Sequence, residues 1–341
     1  MDRRAFLVAL IVVNGCGPNE APKVAANGSL ATKAETPAQP ATRVYRIGVL
    51  SIGTDPGTVG RWQVFYDALR DLNYVEGRNL VLLPGFGGGN FERVPGFVSE
   101  FVNAGVDVIV ATGTREIRAA KQATASIPIV MILAADPVKE GFVASLARPG
   151  GNVTGLTSLV PGLPQKYVEL MHEVVPTAKR FAVVNVAPNP IPEIRRELEE
   201  AGRKRGLSII VLQAADATDF DRVMAEARRE GAAGIIHPID GGTSPYRPAL
   251  VQAALKNRLP GIYWDAAYVD AGGLMTYSIN VEAQYRRAAA VVDRILRGAK
   301  PADLPVELPV RVETVVNLKT AKALGITIPQ SLLIRTDRVI D

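Results

Sequence analysis

Thr112-Gly113-Thr114 and Ala134-Ala135-Asp136-Pro137 stand at the ends of two short apolar runs, 106–111 and 127–133. Two hydroxyls, one carboxylate and several small residues are equipment for holding a small polar molecule. The runs are rich in β-branched residues and read as strands of a parallel sheet buried on both faces. Residues 115–126 between them carry a helical pattern, so the unit is strand–helix–strand with a right-handed crossover. Residues 112–114 then lie at the carboxyl end of a strand, where open α/β sheets bind their ligands. They also begin a helix, with Thr114 as its expected N-cap. Unpaired N–H groups and the positive end of the helix dipole favour an anion there, such as a carboxylate.

Bond-breaking chemistry finds less support. His172 and His237 are the only histidines and Cys16 is the only cysteine. His172 reads as a surface residue of a helix and His237 as a strand residue; neither suggests a catalytic dyad, and no metal-ligand spacing occurs. Gly85-Phe86-Gly87-Gly88-Gly89-Asn90 lacks the Lys-Ser/Thr of a phosphate-binding loop. Asn90 also stands where a dinucleotide fingerprint ends in glycine. A flexible rim loop is expected instead. No enzyme activity, cofactor or metal is expected.

The elements that must position the candidate residues follow from the pattern along the chain. The sequence has 341 residues, 48% hydrophobic and 21% charged, enough for two domains with their own cores. The net charge of +5 comes from basic residues interspersed with acids, as in 195–205, so nucleic acid is not an expected partner. A first strand over 45–51 ends in a turn-rich mouth containing Ser51 and Gly53. Trp62, Phe65, Leu69 and Leu72 mark one face of the next helix. A strand over 79–83, a helix over 92–104, a short helix over 139–147 and a strand over 153–157 complete this series. A second series alternates helices (164–175, 192–205, 220–230, 245–257) with strands (180–186, 207–212, 234–239, 259–264). Residues 271–278 read as a return crossing, followed by a helix over 281–297 and another crossing over 310–316. Two such series predict an α/β fold of two doubly wound, Rossmann-like lobes with a ligand cleft between them.

Four stretches, 141–156, 270–277, 292–305 and 317–329, strongly resemble the ABC transporter substrate-binding proteins of the type I periplasmic binding fold. The branch they resemble is often described as tryptophan/tyrosine-type. The likeness runs from about Tyr45 to the C-terminus. It implies three crossings between the lobes and a ligand sandwiched in the cleft. The expected division places 44–156 and 277–309 in the first lobe, 157–276 and 310–341 in the second. By position, Thr112, Gly113 and Thr114 resemble the segment that holds a ligand's carboxylate, and Ala134 and Asp136 the segment beside it. Asn189 matches the last Asn of a second-lobe Asn-Pro-x-Asn-Pro turn, although Val186 replaces the first. Asp240 or Asp136 would meet an amino group, while Tyr277 or residues of the Ser51–Asp55 mouth would cover a side chain. The implied function is capture of an amino acid or related carboxylate by a monomer serving an ABC permease and ATPase. A sensor module for a membrane signalling partner and a two-lobed nucleotide-dependent transferase are the alternatives. A permease and ATPase encoded nearby would favour transport, and turnover of a sugar nucleotide would favour the transferase.

The N-terminus suits an extracytoplasmic protein. Arg3-Arg4 precede an apolar run over 5–13 that is too short to span a bilayer, and Gly15-Cys16 follow. This resembles a bacterial lipobox, which implies a signal peptide over 1–15 and a lipidated Cys16. Residues 16–43, rich in Ala, Pro, Asn, Thr and Lys, read as a flexible tether. Stable anchoring needs more than one acyl chain. Replacement of Cys16 by Ser is therefore expected to release the protein from the membrane fraction into the soluble one. An unchanged partition on cell fractionation would refute the anchor.

Overall fold

The apolar runs form strands because helices cover them on both sides. In the first lobe β1 (Tyr45–Ser51), β2 (Leu80–Phe86), β3 (Val108–Thr112), β4 (Ile129–Ala134) and β5 (Val153–Thr157) pair in the order β2-β1-β3-β4-β5. All of these pairings are parallel. Helices α2 (Val94–Asn103) and α3 (Thr114–Ala123) bury Val98, Phe101 and Ile117 against Leu50, Ile109 and Met131 on one face. On the other face α1 (Arg61–Asp71) packs Trp62, Phe65 and Leu69 against Ile47, Val49, Val108 and Val110. The computed structural model describes residues 43–53, 60–186, 192–239, 241–309 and 311–341.

The second lobe repeats the plan. Its elements are α4 (Leu163–Val174), β6 (Arg180–Val186), α5 (Pro192–Arg203), β7 (Ser208–Ala214), α6 (Phe220–Arg229), β8 (Ile235–His237), α7 (Arg247–Lys256), β9 (Gly261–Tyr263), α8 (Ala266–Asp270) and β10 (Met275–Ile279). Helix α9 (Val281–Leu296) returns to the first lobe and packs along α1 and β4. The chain then adds β11 (Val312–Asn317), α10 (Leu318–Leu324), α11 (Gln330–Leu333) and β12 (Arg338–Ile340) to the second. The second sheet runs β12-β11-β10-β9-β8-β6-β7, parallel except where β11 meets β10. The expected fold class, two doubly wound lobes, is what the chain adopts.

Two expectations change. Residues 139–147 form turns rather than a helix. The N–H groups of Phe142 and Val143 both donate to the Pro137 carbonyl, at 2.8 and 3.2 Å, and Gly141 takes φ +68°. Asp136-Pro137 turn chemistry outweighs the apolar spacing there. The return crossing comes after β10, at Asn280, whose Oδ1 caps α9 by accepting the Ala283 N–H at 2.8 Å. Tyr277, placed with the first lobe in the expected division, lies on a strand paired into the second sheet.

The β4–β5 side of the first sheet is held tightly. The β4–β5 register shifts between Met131 and Ala134, and Leu133 takes φ +59°, a conformation that costs a non-glycine residue free energy. Gly155 in β5 takes φ +127°, and a Cβ there would lie 2.3 Å from the Met131 carbonyl oxygen. Gly155→Ala is expected to destabilise the protein by about 3 kcal/mol or more through backbone strain and displacement of β4. A denaturation midpoint equal to that of the parent would contradict this close approach.

Candidate functional site

Reversals of strand order create the cleft. In the first sheet β1 lies between β2 and β3, so the crossovers leaving β1 and β3 pass to opposite faces and diverge above the strand ends. The same reversal occurs where β6 lies between β7 and β8. A cavity of about 1410 Å³ opens at the carboxyl ends of both sheets. Ser51, Thr112, Ala135 and Ser158 line it from the first lobe, and Val186, Ala215, Ile239 and Trp264 from the second.

Among the sequence candidates, Ser51, Gly53, Thr112, Gly113, Thr114 and Asp136 all line this cavity. Ala134 does not: its side chain is buried in the first-lobe core, and its carbonyl accepts from the Thr157 hydroxyl at 2.6 Å. The neighbouring Ala135 takes its place. Tyr277 does not line the cavity either. It packs half-buried against the second-lobe core on the α4 side, its ring centroid 6.0 Å from Lys166 Nζ. Cys16, Asn189 and Asp240 lie outside the described residues.

Local geometry refines the roles. Gly113, with φ +95°, is the residue preceding α3, and Thr114 is its first residue. The expected cap by Thr114 is absent; its hydroxyl instead accepts the Ala135 N–H at 3.3 Å and ties the two strand ends together. The Gly113 N–H donates to Ile132 at 2.9 Å, so among the described residues the first-turn N–H groups of Thr114 and Arg115 are the ones left without an acceptor. Asp136 Oδ1 accepts the Lys139 N–H at 3.1 Å and shapes the turn that follows. The glycine loop is a strap rather than a loose rim. Gly87, Gly88 and Gly89 donate to the carbonyls of Ser51, Gly53 and Ile52 at 2.9, 3.0 and 2.7 Å. Gly88 and Gly89 need their positive φ of 63° and 86° to do so.

Several cavity residues escaped the sequence reading. Arg61 and Trp62 come from the first turn of α1, and Tyr285 comes from α9, its hydroxyl 3.3 Å from Thr112 Oγ1. Trp62 meets Tyr285 edge to face at 5.0 Å. Phe91 and Tyr246 add rings from opposite lobes, Phe91 with the Arg115 guanidinium 3.7 Å above it. Trp264 is only 4% exposed and still forms part of the wall. His237 is fully buried between the Val184 carbonyl and Thr243, a support for the strand end rather than a reacting group. No group of three or more His, Cys, Asp or Glu that could hold a metal occurs among the described residues.

Glu116 is the remaining wall residue of consequence. It sits in the first turn of α3 beneath Gly113, 4% exposed, with Oε1 accepting the Ile52 N–H at 2.9 Å. Burial pushes its carboxyl up from the ordinary value of 4.5 to about 7, against the opposing pull of the two backbone hydrogen bonds and Arg115. The folded state therefore holds this proton more tightly than the unfolded chain. The resulting stability is fully present below pH 4.5 and is lost as pH rises through about 7. Glu116→Gln keeps the shape and the acceptor but has no proton to lose. Its melting temperature should fall less than the parent's between about pH 5 and 8, a difference worth up to about 3 kcal/mol. Parallel pH profiles would rule out this assignment.

Comparison with known proteins agrees with this architecture. A curated relative from Clostridioides difficile (strain R20291), described as a tyrosine-binding protein, is 25% identical over 322 residues, 94% of this chain and 90% of its own. A conserved domain protein from Vibrio cholerae O1 biovar El Tor has a crystal structure that superposes with a TM-score of 0.80 at 27% identity, covering 87% of this chain and 100% of that one. A structure described as the ABC domain in complex with L-Trp from Streptococcus pneumoniae superposes at 0.79 with 26% identity, again covering 87% and 100%. The family model described as ABC transporter substrate binding protein matches residues 46–340. With that match spanning both lobes, the chain belongs to the ABC transporter substrate-binding protein family.

Proposed function

We propose that this protein is the extracytoplasmic receptor of an ABC importer, capturing an aromatic amino acid by closure of its lobes and delivering it to the permease. The carrying observation is the make-up of the cavity. Rings from both lobes, Phe91 and Tyr246 foremost, line the same space as Thr112, Thr114 and Asp136. The relatives described as tyrosine-binding and as an L-Trp complex support the same ligand class.

The ligand's carboxylate would take the Thr114 and Arg115 N–H groups at the positive end of α3, together with the Thr112 hydroxyl. Charge-assisted hydrogen bonds contribute about 1.5–3 kcal/mol each, so two or three supply a large share of a micromolar affinity. Asp136 would face the ammonium. Tyr246 is 37% exposed, so its ring still has surface to offer. Each well-placed aromatic pair adds about 0.5–1.5 kcal/mol beyond area burial. A ligand touching both lobes binds the closed form better and shifts the population toward it. Attachment through a lipid on Cys16 would keep the receptor near its permease, and a single copy suffices for this work.

Calorimetry with L-tryptophan and L-tyrosine, and with L-leucine as the apolar control, tests the reading. An aromatic amino acid should bind at least tenfold more tightly than leucine. Thr112→Ala or Asp136→Ala, or both, should weaken it about tenfold, about 1.4 kcal/mol. The proposal fails if the folded protein binds no aromatic amino acid, and the placement fails if both variants bind normally.

A further inference from the structure

Arg61 opens α1 in the first lobe, and Asp265 caps α8 in the second. An Arg61 Nη2 N–H donates to Asp265 Oδ2, joining residues 204 positions apart, while Oδ1 accepts the Ala267 N–H at 3.0 Å. Only 9% of the arginine side chain and 5% of the aspartate side chain remain exposed. The guanidinium carbon lies 5.7 Å from the Trp264 ring centroid, at the back wall of the cavity. Burial dominates the arginine's electrostatics and lowers its pKa, with Tyr285, Arg247, Tyr268 and Glu282 acting as smaller influences. A second inter-lobe pair, Lys139 with Glu193 at 3.1 Å, sits on the rim with 54% and 50% of its side chains exposed. Water and salt screen such a rim pair, and it contributes little.

The inner pair differs in kind. A buried ion pair is worth roughly as much as a well-packed apolar pair, because desolvation offsets attraction. Removing one partner, however, strands the other charge and is strongly unfavourable. When the lobes part, both charges regain water. Closure with the pair intact is therefore nearly neutral, while closure with either charge alone is opposed. The pair acts as a condition on how the lobes meet.

We propose that Arg61 and Asp265 are positioning residues for ligand binding, an inter-lobe register pair that sets the open–closed balance without touching the ligand. This rests on the reading of the cleft as a closing ligand site. It leaves closure of the ligand-free chain unopposed and fixes the geometry in which the lobes meet, and affinity scales with the closed population so permitted.

Four variants test it: Arg61→Met, Asp265→Asn, the two combined, and Arg61→Lys. Asn at 265 keeps the oxygen that caps α8, and Met at 61 keeps the apolar stem. Inter-lobe distances come from paired spin labels at the exposed positions Val102 and Ile334 in a Cys16→Ser background, first without ligand. Each single neutral variant should shift the distance distribution to longer values. The double variant and Arg61→Lys should return it toward the parent's. L-tryptophan affinity should follow: a loss of tenfold or more in each single variant, and recovery to within about threefold in the double. Unchanged distances in both single variants overturn the proposal. A double variant as weak as the product of the single losses also overturns it, and would make Arg61 a direct ligand contact. Distances that shift as expected while no aromatic amino acid binds the parent leave the register pair standing and remove the aromatic reading instead.

Discussion

The structure depends on parallel strands that have both faces covered by their own crossover helices. A parallel pair requires a crossover, and right-handed crossovers place helices on the faces. Few open surfaces then remain where backbone and polar side chains can meet a ligand without competing with the core. The carboxyl edge at the β1/β3 and β6/β8 reversals is one such surface, and the chain turns two of these edges toward each other. Thr112 and Ile239, far apart in sequence, line one cavity for this reason.

That constraint also explains which parts of the site were legible in the sequence. Ser51, Gly53, Thr112, Gly113 and Thr114 directly follow apolar runs, so strand periodicity and the strand-end rule find them without any contact information. Arg61, Trp62 and Glu116 belong to the first turns of the helices that follow. Their side chains point back toward the strand ends because helical Cβ atoms tilt toward the N-terminus. The sequence does carry a signal for Glu116, which stands three residues after Gly113 at a capping-box spacing. Tyr285 had no local signal, since only the fold brings α9 back against α1. Tyr277 fails by parity. On a strand with alternating faces, a residue one position away points to the other side, and Tyr277 packs toward α4.

The cavity wall combines two opposing demands. Apolar burial of Trp62, Tyr285 and Trp264 rigidifies the back of the cleft, while Arg61, Asp265 and Glu116 keep charge-bearing groups inside it. Each of these three charge-bearing groups is tied to a named partner: Arg61 to Asp265, Glu116 to the Ile52 N–H, and Asp265 to the Ala267 N–H as well. Such satisfaction is the condition under which polar groups persist in a core. The glycine strap over 87–89 contributes by fixing the Ser51–Gly53 carbonyls, so the mouth keeps its shape while its side chains stay available.

The late return of α9 bears on synthesis. Its Tyr285, Ala288, Ala289 and Val292 complete the apolar layer that α1 begins over Ile47, Val49, Val108 and Val110. A nascent chain that has just emerged through Thr157 possesses every strand of the first sheet but not that layer. The remaining face stays wet until more than a hundred further residues, including the second lobe's β6–β10, have left the ribosome. Vectorial growth therefore cannot finish the lobes one after the other. The first to begin is completed only after most of the second exists, and a truncation between the lobes leaves an aggregation-prone half rather than a free-standing domain.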